Sequence, residues 1–203
     1  LFFGVGANGL QAPTQLINCG NSGTTARLLM GILAAQSFDS ILIGDESLSK
    51  RPMKRLADIL NTELGAEIET DINGGMPVVI YGKKLHGATV ELALASAQMK
   101  SALLLAGLFT DDEVSVKEPS QSRDHSERML ATFKHIDEEI TYHVPGDISG
   151  AAFLIVAAIL LKKKITLTNV GLNPTRTRFL EILREFGLKY ETTNTLEEWG
   201  ETR

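Results

Sequence analysis

The sequence reads Gly20-Asn-Ser-Gly-Thr-Thr-Ala-Arg27 where a polar loop with two glycines enters an apolar helix, predicted over Ala26–Ala35. The start of a helix presents unpaired backbone N–H groups and the positive end of the helix dipole, and both favour an anion. The same residues also suit an ordinary turn with a good N-cap, so the loop by itself leaves two interpretations open. Recurrence of the pattern along the chain favours the anion site.

Two further polar loops lead into apolar helices in the same way. Ser96-Ala-Gln-Met-Lys-Ser precedes an apolar helix that starts at Ala102, and Gly146-Asp-Ile-Ser-Gly precedes one that starts at Ala152. A β-rich run and a second helix of mixed polarity follow each of them, with apolar residues at helical spacing. This repeat predicts an α/β fold of similar units that bury their apolar helices against one another. The expected strands are Ser40–Gly44, Glu113–Val116 and Lys164–Asn169, and the mixed helices start at Arg51, Asp124 and Pro174.

Proline and glycine mark the ends of the mixed helices. Pro52 and Pro174 suit a first helical turn, because the missing N–H would have no partner there. Gly65 and Gly187 suit the C-terminal stop, where a left-handed backbone is common. These four positions predict the bounds of the first and third mixed helices.

The first repeat unit ends in a predicted pair of strands, Pro77–Tyr81 and Thr89–Leu94. The second unit has no room for such a pair, because a short polar segment alone separates Phe133 from Val144. We infer that roughly 20–25 residues of a complete unit are missing there.

Composition limits the class of protein. The 203 residues are 43% hydrophobic and 22% charged, which is ordinary for a globular protein of one domain or one and part of another. The apolar run Ala151–Leu161 is too short to span a bilayer and is expected to be core. Cys19 is the single cysteine, which excludes an internal disulfide and fits a reducing cytosol. No secretory signal is visible, so a cytoplasmic location without membrane attachment is expected.

Positive charge is concentrated at the helix entrances of an acidic chain. The formal net charge of −5 argues against broad nucleic-acid binding. The planar guanidinium group of arginine suits two-point contacts with carboxylate and phosphate, so the pattern predicts a small, highly anionic ligand. Pairing of these cations with the carboxylates of the chain is the open alternative. The cations concerned are Arg27, Arg51, Lys100, Arg123, Arg176 and Arg178.

Six motifs follow one another along the chain: Gly20-Asn-Ser-Gly-Thr-Thr-Ala-Arg-Leu-Leu, Gly44-Asp-Glu-Ser-Leu-Ser-Lys-Arg-Pro-Met, Ala95-Ser-Ala-Gln-Met-Lys-Ser-Ala, Ser122-Arg-Asp-His-Ser-Glu-Arg-Met, Val144-Pro-Gly-Asp-Ile-Ser-Gly-Ala-Ala-Phe and Asn169-Val-Gly-Leu-Asn-Pro-Thr-Arg-Thr. Together, and in this order, they resemble the 5-enolpyruvylshikimate-3-phosphate synthases. The resemblance implies repeated βαβαββ units in the enolpyruvyl transferase fold, an inside-out α/β barrel with two domains and the substrate site between them. It assigns residues 1–144 to most of the N-terminal domain and 145–203 to the first part of the C-terminal domain. Val144-Pro-Gly-Asp is the expected hinge, because proline and glycine end the preceding element.

The reaction that the resemblance implies is the transfer of the enolpyruvyl group of phosphoenolpyruvate to the 5-hydroxyl of shikimate 3-phosphate. It belongs to the shikimate pathway, which leads to chorismate and the aromatic amino acids. The resemblance implies a transferase that works as a monomer, needs no metal or organic cofactor, and is a target of glyphosate.

The resemblance also implies the substrate-binding residues. The loop glycine, Gly23, has a physical reason to line the phosphoenolpyruvate site, because a backbone without Cβ lets an anion approach closely. A glycine there also hints at glyphosate sensitivity. Asn21, Gly23, Thr24 and Arg51 are expected to hold phosphoenolpyruvate, Ser96, Ala97 and Gln98 to contact shikimate 3-phosphate, with Gln98 reaching both substrates, and Ser122 and Arg123 to bind the shikimate phosphate.

The sequence also departs from the family pattern. The opening Lys-Ser motif of the family has no counterpart, and the acid and base residues of the family lie outside this chain. Enolpyruvyl transfer needs a proton on the phosphoenolpyruvate methylene and the removal of one from the attacking hydroxyl. We therefore expect the 203-residue chain by itself to be inactive and its parent to be active.

Two alternative functions stay open at this point. Transfer to UDP-N-acetylglucosamine on the same fold is one, although the Ser122-Arg-Asp-His motif argues against it. A non-catalytic ligand-binding fragment is the other.

Several single residues also carry two interpretations. Cys19 is expected to be buried rather than nucleophilic, and Asp124 is expected to be a helix cap rather than a base. Asp147 is either a helix cap or a residue at a domain boundary. His125 could line the site, and Lys100 could reach it or solvate its helix. The acidic tail from Glu191 is expected to fray, with Trp199 as its one anchor.

Overall fold

The computed structural model of the protein describes residues 3–6, 8–133 and 140–203. The chain forms two compact units, Leu1–Ser120 and Gln121–Arg203. This division differs from the boundary expected at 144, and the assignment of 1–144 and 145–203 to two domains stays a prediction. The missing segment expected after Phe133 falls mainly on 134–139, which lie outside the described residues.

A four-stranded sheet lies at the centre of the first unit. Strand β1 (Ile17–Asn18) pairs in parallel with β2 (Ser40–Ile43), which confirms the strand predicted at Ser40–Gly44. Strand β4 (Val78–Tyr81) lies between β2 and β3 (Glu67–Glu69) and is antiparallel to both. Burial alternates along β2 and β4, so one face of each strand is directed into the core.

A second, parallel pair of strands stands apart from this sheet. It consists of β5 (Thr89–Glu91) and β6 (Ser115–Lys117), so β6 lies two residues beyond the predicted start. The predicted pairing of Pro77–Tyr81 with Thr89–Leu94 is wrong. Both edges of β4 are already hydrogen-bonded to β2 and β3, and β5 therefore pairs with β6.

The apolar helices of the first unit are packed closely together. Helix α1 spans Gly23–Ala34 and α4 spans Ala97–Ala106, and both bury most of their apolar side chains. A Cβ added at Gly31 of α1 would lie 2.0 Å from the carbonyl oxygen of Ala102 in α4. The two backbones therefore approach so closely that only glycine fits, and the expected packing of one repeated helix against another is confirmed for this pair.

The mixed helix of the first unit starts later than predicted. A short helix, α2 (Glu46–Ser49), comes first, and α3 spans Lys54–Leu64. Pro52 thus precedes the helix instead of lying in its first turn. The physical reason is that the N–H groups of Met53 and Lys54 both donate to the carbonyl oxygen of Gly74, which fixes the start of α3. Gly65 ends α3 with a φ of +74°, as predicted.

The second unit contains three helices in its described residues. Helix α5 spans His125–Phe133, α6 spans Ile148–Leu160, and α7 spans Pro174–Glu185. Pro174 occupies the first turn of α7, and Gly187 follows its end with a φ of +92°, so both predictions are confirmed.

The chain after α6 differs from its prediction. In the described part of this unit, no strand forms at Lys164–Asn169, and only Val170 makes an isolated parallel bridge, to Gly146. A strand needs a neighbour for its N–H and C=O groups, and the described residues supply none here. The expectation that α6 is buried on most of its surface is also wrong, since Phe153 is 80% exposed.

The tail is ordered where fraying was expected. Strands β7 (Glu197–Glu198) and β8 (Glu201–Thr202) form an antiparallel hairpin. The turn residues Trp199 and Gly200 have φ angles of +55° and +77°, which suits the tight turns preferred in two-residue hairpins. The Trp199 ring packs edge to face on Phe133 with centroids 5.7 Å apart, so its predicted role as an anchor is confirmed.

No helix among the residues that the structure describes is long and apolar enough to cross a membrane.

We expect Gly31→Ala to destabilise the first unit. Its methyl group would overlap the backbone carbonyl of Ala102, so α1 and α4 would have to separate. The free energy of unfolding in urea should fall by about 2–3 kcal/mol, as for other overpacked sites. Gly150→Ala in α6 is the matched control, because no atom lies within 4 Å of its added Cβ, and it should leave stability equal or higher. Equal effects of the two substitutions would contradict this packing.

Candidate anion-binding site at the start of α1

The loop before α1 is held by its own polar groups. The N–H of Gly20 donates to Oδ1 of Asn18, at 2.9 Å, and Gly20 adopts a φ of +56°. Ser22 caps the helix, because its Oγ accepts the N–H of Thr25 at 3.1 Å. The N-cap interpretation of the loop is therefore correct, and whether the loop also binds an anion depends on the side chains around it.

Two arginines converge on Gly23 in the first turn of α1. A Cβ added there would lie 3.1 Å from Nη1 of Arg27 and 3.3 Å from Nη1 of Arg51. Burial, and then the nearby charge of Arg51, lower the pKa of the Arg27 guanidinium below its usual value. Two like charges therefore lie close together in a partly desolvated place, and an anion between them would relieve their repulsion.

The described contacts of both arginines are with neutral oxygen atoms. Arg27 donates to Oε1 of Gln98 at 2.6 Å and to the carbonyl oxygen of Pro52 at 3.0 Å. Arg51 donates to Oδ1 of Asn21 at 2.6 Å. Neither arginine forms an ion pair with any carboxylate that the structure describes, so their positive charges remain available to a ligand. Among the described residues, therefore, the alternative of pairing with carboxylates of the chain is not found for these two arginines.

Gln98 connects the two apolar helices at their N-termini. Its Nε2 donates to Oγ1 of Thr24 at 2.8 Å, while its Oε1 accepts from Arg27. Ser96 caps α4 through the N–H of Met99, at 3.5 Å. The packing of α4 on α1 therefore brings the motif that starts at Ala95 to the loop before α1, residues 20–23, which we call the glycine loop. The two segments are far apart in sequence.

The expected site residues fall into two groups. The first unit brings Asn21, Gly23, Thr24, Arg51 and Gln98 together, with Ser96 and Ala97 at the start of α4. Ser122 and Arg123 lie in the second unit, in the segment before α5, and their binding role stays a prediction.

Two further residues belong to this cluster. Arg27 was noted in the sequence as a cation at a helix entrance but was not assigned to the substrate site, and Asp45 was not singled out. Arg27 lies four positions after Gly23, which places both on one face of α1, and this spacing was the available signal. Asp45 accepts a hydrogen bond from Nδ2 of Asn21 at 2.7 Å. Its signal was the polar motif that directly follows β2.

Two of the other cations, Lys100 and Arg176, pair with carboxylates. Lys100 is buried and pairs with Glu118 at 2.7 Å, so it does not solvate its helix. Arg176 pairs with Asp147 at 3.5 Å. Of the cations noted in the sequence, Arg27 and Arg51 therefore fit best the interpretation that their charge is available to an anionic ligand.

The remaining candidate residues have structural partners. Asp147 caps α6, because its Oδ1 accepts the N–H of Ser149 at 2.9 Å, so the cap is correct of its two expected roles. The carboxylate of Asp124 accepts hydrogen bonds from Nε of Arg128 at 2.9 Å and from Nδ2 of Asn173 at 2.7 Å. The backbone carbonyl oxygen of Asp124 accepts the N–H of Arg128 in α5. Nδ1 of His125 lies 2.6 Å from Oε1 of Glu201. The role of His125 in lining a site stays a prediction. Among the described residues, no group of His, Cys, Asp or Glu could hold a metal ion.

The sequence matches the family described as EPSP synthase (3-phosphoshikimate 1-carboxyvinyltransferase) over residues 3–201. A 3-phosphoshikimate 1-carboxyvinyltransferase from Xanthomonas euvesicatoria pv. vesicatoria is 47% identical, over 98% of this chain and 49% of its own length. The chain belongs to the EPSP synthase family. The resemblance inferred from six motifs is therefore confirmed.

Further relatives agree with this family. A 3-phosphoshikimate 1-carboxyvinyltransferase from Legionella pneumophila is 47% identical over 96% of this chain and 48% of its own length. The solved EPSP synthase of Acinetobacter baumannii superposes with a TM-score of 0.83 at 43% identity, over 98% of this chain and 48% of that chain. The chain thus has the α/β fold of the EPSP synthases, and it spans about half the length of the relatives it matches.

We expect Cys19 to react slowly with thiol reagents in the folded protein. Its side chain is 6% exposed, and burial raises the pKa of the thiol. Because the thiolate is the reactive form, labelling should accelerate only above the ordinary thiol pKa of about 8.5. Labelling rates measured from pH 7 to 10, in native buffer and in urea, check this. Equal rates in both solvents at pH 7 would favour a reactive, accessible cysteine.

Proposed function

We propose that the protein containing this chain transfers the enolpyruvyl group of phosphoenolpyruvate to the 5-hydroxyl of shikimate 3-phosphate. The observation that carries the proposal is the convergence of Arg27 and Arg51 on Gly23 at the start of α1. Membership of the EPSP synthase family supports the reaction class. The activity proposed is that of the whole protein, because this chain spans about half of its relatives.

The chemistry of phosphoenolpyruvate suits this cluster. The substrate carries a carboxylate and a phosphate, each of which can accept two parallel hydrogen bonds from a guanidinium group. The N–H groups of the glycine loop and the positive end of α1 add donors on the same side. Gly23 leaves these groups uncovered, whereas a side chain there would stand between the two guanidinium groups and the ligand.

The second substrate is assigned to the start of α4 and to the segment before α5. Ser96, Ala97 and Gln98 would contact shikimate 3-phosphate, and Ser122 and Arg123 would bind its phosphate. Gln98 already contacts Thr24 and Arg27, so its amide is placed to reach both substrates. This arrangement would hold the attacking hydroxyl near the enolpyruvyl group, which is the positioning that a two-substrate transfer requires.

The family resemblance also implies inhibition by glyphosate, which carries a carboxylate and a phosphonate. We include competition of glyphosate with phosphoenolpyruvate, a monomeric state and a cytoplasmic location in the proposal. The two guanidinium groups beside Gly23 support the competition, because they form no ion pair with a described carboxylate and suit either anion.

The charge on Arg27 is expected to be needed for phosphoenolpyruvate binding. In the whole protein, Arg27→Gln should raise the dissociation constant for phosphoenolpyruvate about 10- to 100-fold, the usual effect of losing hydrogen bonds to a charged group. Calorimetric titration in the presence of shikimate 3-phosphate measures it. Arg55→Gln is the matched control, because Arg55 is exposed on α3 and its substitution removes the same charge. It should leave the dissociation constant for phosphoenolpyruvate unchanged.

Two outcomes would contradict the proposed function. One is an unsubstituted protein that binds neither phosphoenolpyruvate nor shikimate 3-phosphate. The other is binding of UDP-N-acetylglucosamine in place of shikimate 3-phosphate, which would favour the related enolpyruvyl transfer to a UDP-sugar. Release of inorganic phosphate with formation of the enolpyruvyl ether product would establish turnover.

Gly23→Ala should weaken glyphosate binding more than it changes stability. The added methyl would lie 3.1 Å from Nη1 of Arg27 and 3.3 Å from Nη1 of Arg51, so each side-chain end needs to move by only a few tenths of an ångström and folding is expected to survive. Competition titrations against phosphoenolpyruvate, combined with thermal unfolding, measure both effects. Unchanged glyphosate affinity in the variant would show that the inhibitor does not approach this glycine.

A further inference from the structure

Asp45 joins the glycine loop to the segment that carries Arg51. It follows β2 and caps α2, because its Oδ1 accepts the N–H of Leu48 at 2.8 Å. Its Oδ2 accepts from Nδ2 of Asn21 at 2.7 Å. Its own N–H donates to the carbonyl oxygen of Gly20 at 2.9 Å. One exposed residue is therefore fixed at three points, two of which belong to the loop.

The carboxylate of Asp45 decides how the Asn21 amide is oriented. An amide has an accepting end and a donating end, whereas an ionised carboxylate can only accept. Asn21 must therefore direct its NH₂ group at Asp45, and its Oδ1 is left to accept from Nη2 of Arg51 at 2.6 Å. The order of donors and acceptors runs in one direction, from Arg51 through Asn21 to Asp45.

This order has a consequence for the guanidinium group of Arg51. Nη2 is committed to Asn21, so Nη1 is the nitrogen directed at Gly23, 3.3 Å from the position of an added Cβ. A long side chain held in one conformation loses less freedom when a ligand binds. Asp45 achieves this without forming an ion pair with Arg51, although the two charges lie near enough for the charge of Arg51 to help lower the pKa of Asp45.

The carboxylate also has reason to stay ionised. The N–H of Leu48 and the amide of Asn21 hold the pKa of Asp45 below its usual range. Hydrogen bonds that donate to the charged form favour it, so Asp45 is an acceptor at neutral pH.

We propose that Asp45 is a positioning residue of the anion site, which sets the orientation of Asn21 and, through it, that of Arg51. The inference rests on the proposed function, because phosphoenolpyruvate is the anion that Arg51 is proposed to hold. Asp45 itself touches neither substrate in this account.

Asp45→Asn in the whole protein tests the inference. Asparagine caps helices as well as aspartate does, so α2 keeps its cap. The one amide oxygen is then used by Leu48, and an NH₂ group faces the NH₂ group of Asn21. We expect the dissociation constant for phosphoenolpyruvate to rise about tenfold, the size expected for losing a hydrogen bond to a charged group. The dissociation constant for shikimate 3-phosphate and the thermal midpoint should stay unchanged.

Two further variants make the test selective. Glu46→Gln removes the same charge one residue along the chain, where the carboxylate contacts only the exposed Lys50, and it should leave both dissociation constants unchanged. Asp45→Ser keeps a capping hydroxyl but cannot bridge to Asn21, so it should reproduce the effect of Asp45→Asn and replaces it if that variant does not fold.

Each contrary result is distinguishable. Equal weakening by Asp45→Asn and Glu46→Gln would reduce the effect to net charge and overturn the inference. Equal loss of affinity for both substrates would assign Asp45 a merely structural role and overturn it as well. If the unsubstituted protein binds phosphoenolpyruvate and Asp45→Asn binds it equally well, the inference fails while the proposed function stands. If the unsubstituted protein binds neither substrate, the proposed function fails, and the inference fails with it.

Discussion

The close approach of α1 and α4 at Gly31 is the constraint on which the candidate site depends. The carbonyl oxygen of Ala102 occupies the space where any side chain at position 31 would lie. This contact aligns the N-termini of two helices that are distant in sequence, and it brings Gln98 within hydrogen-bond distance of Thr24 and Arg27. The apolar core thus determines where the polar groups of the site lie.

The site combines donors of three kinds around one glycine. Backbone N–H groups come from the start of α1, guanidinium groups from Arg27 and Arg51, and an amide from Gln98. The neutral partners of the arginines hold them in place without cancelling their charge. A chain of net charge −5 can therefore carry a locally positive site, which favours a small anion.

Local signals in the sequence predicted much of the fold. The polar loop followed by an apolar run located α1, although the helix begins at Gly23, three residues before the predicted Ala26. Proline and glycine gave the start of α7 and the end of α3, because capping and backbone preferences act within a few residues. The pairing of β4 and β5 was wrong, since the choice of a strand's neighbour depends on distant segments. The exposure of α6 was missed for the same reason, because burial depends on what packs against a helix.

The site was predictable in its residue types but not in its connections. Asn21, Gly23 and Arg51 came from motif resemblance, and the structure brings them together. The contribution of Asp45 was not visible, because it consists of a hydrogen bond across 24 residues that fixes one end of an amide. Sequence shows which groups are available, whereas the direction of a hydrogen-bond chain appears only when the partners are in place.

A crystal structure of the whole protein with phosphoenolpyruvate and shikimate 3-phosphate tests the central claim most directly. The account predicts carboxylate or phosphate oxygens of phosphoenolpyruvate within about 3 Å of the guanidinium groups of both Arg27 and Arg51, beside Gly23. Phosphoenolpyruvate bound elsewhere, with these two arginines still contacting only Gln98, Pro52 and Asn21, would contradict it.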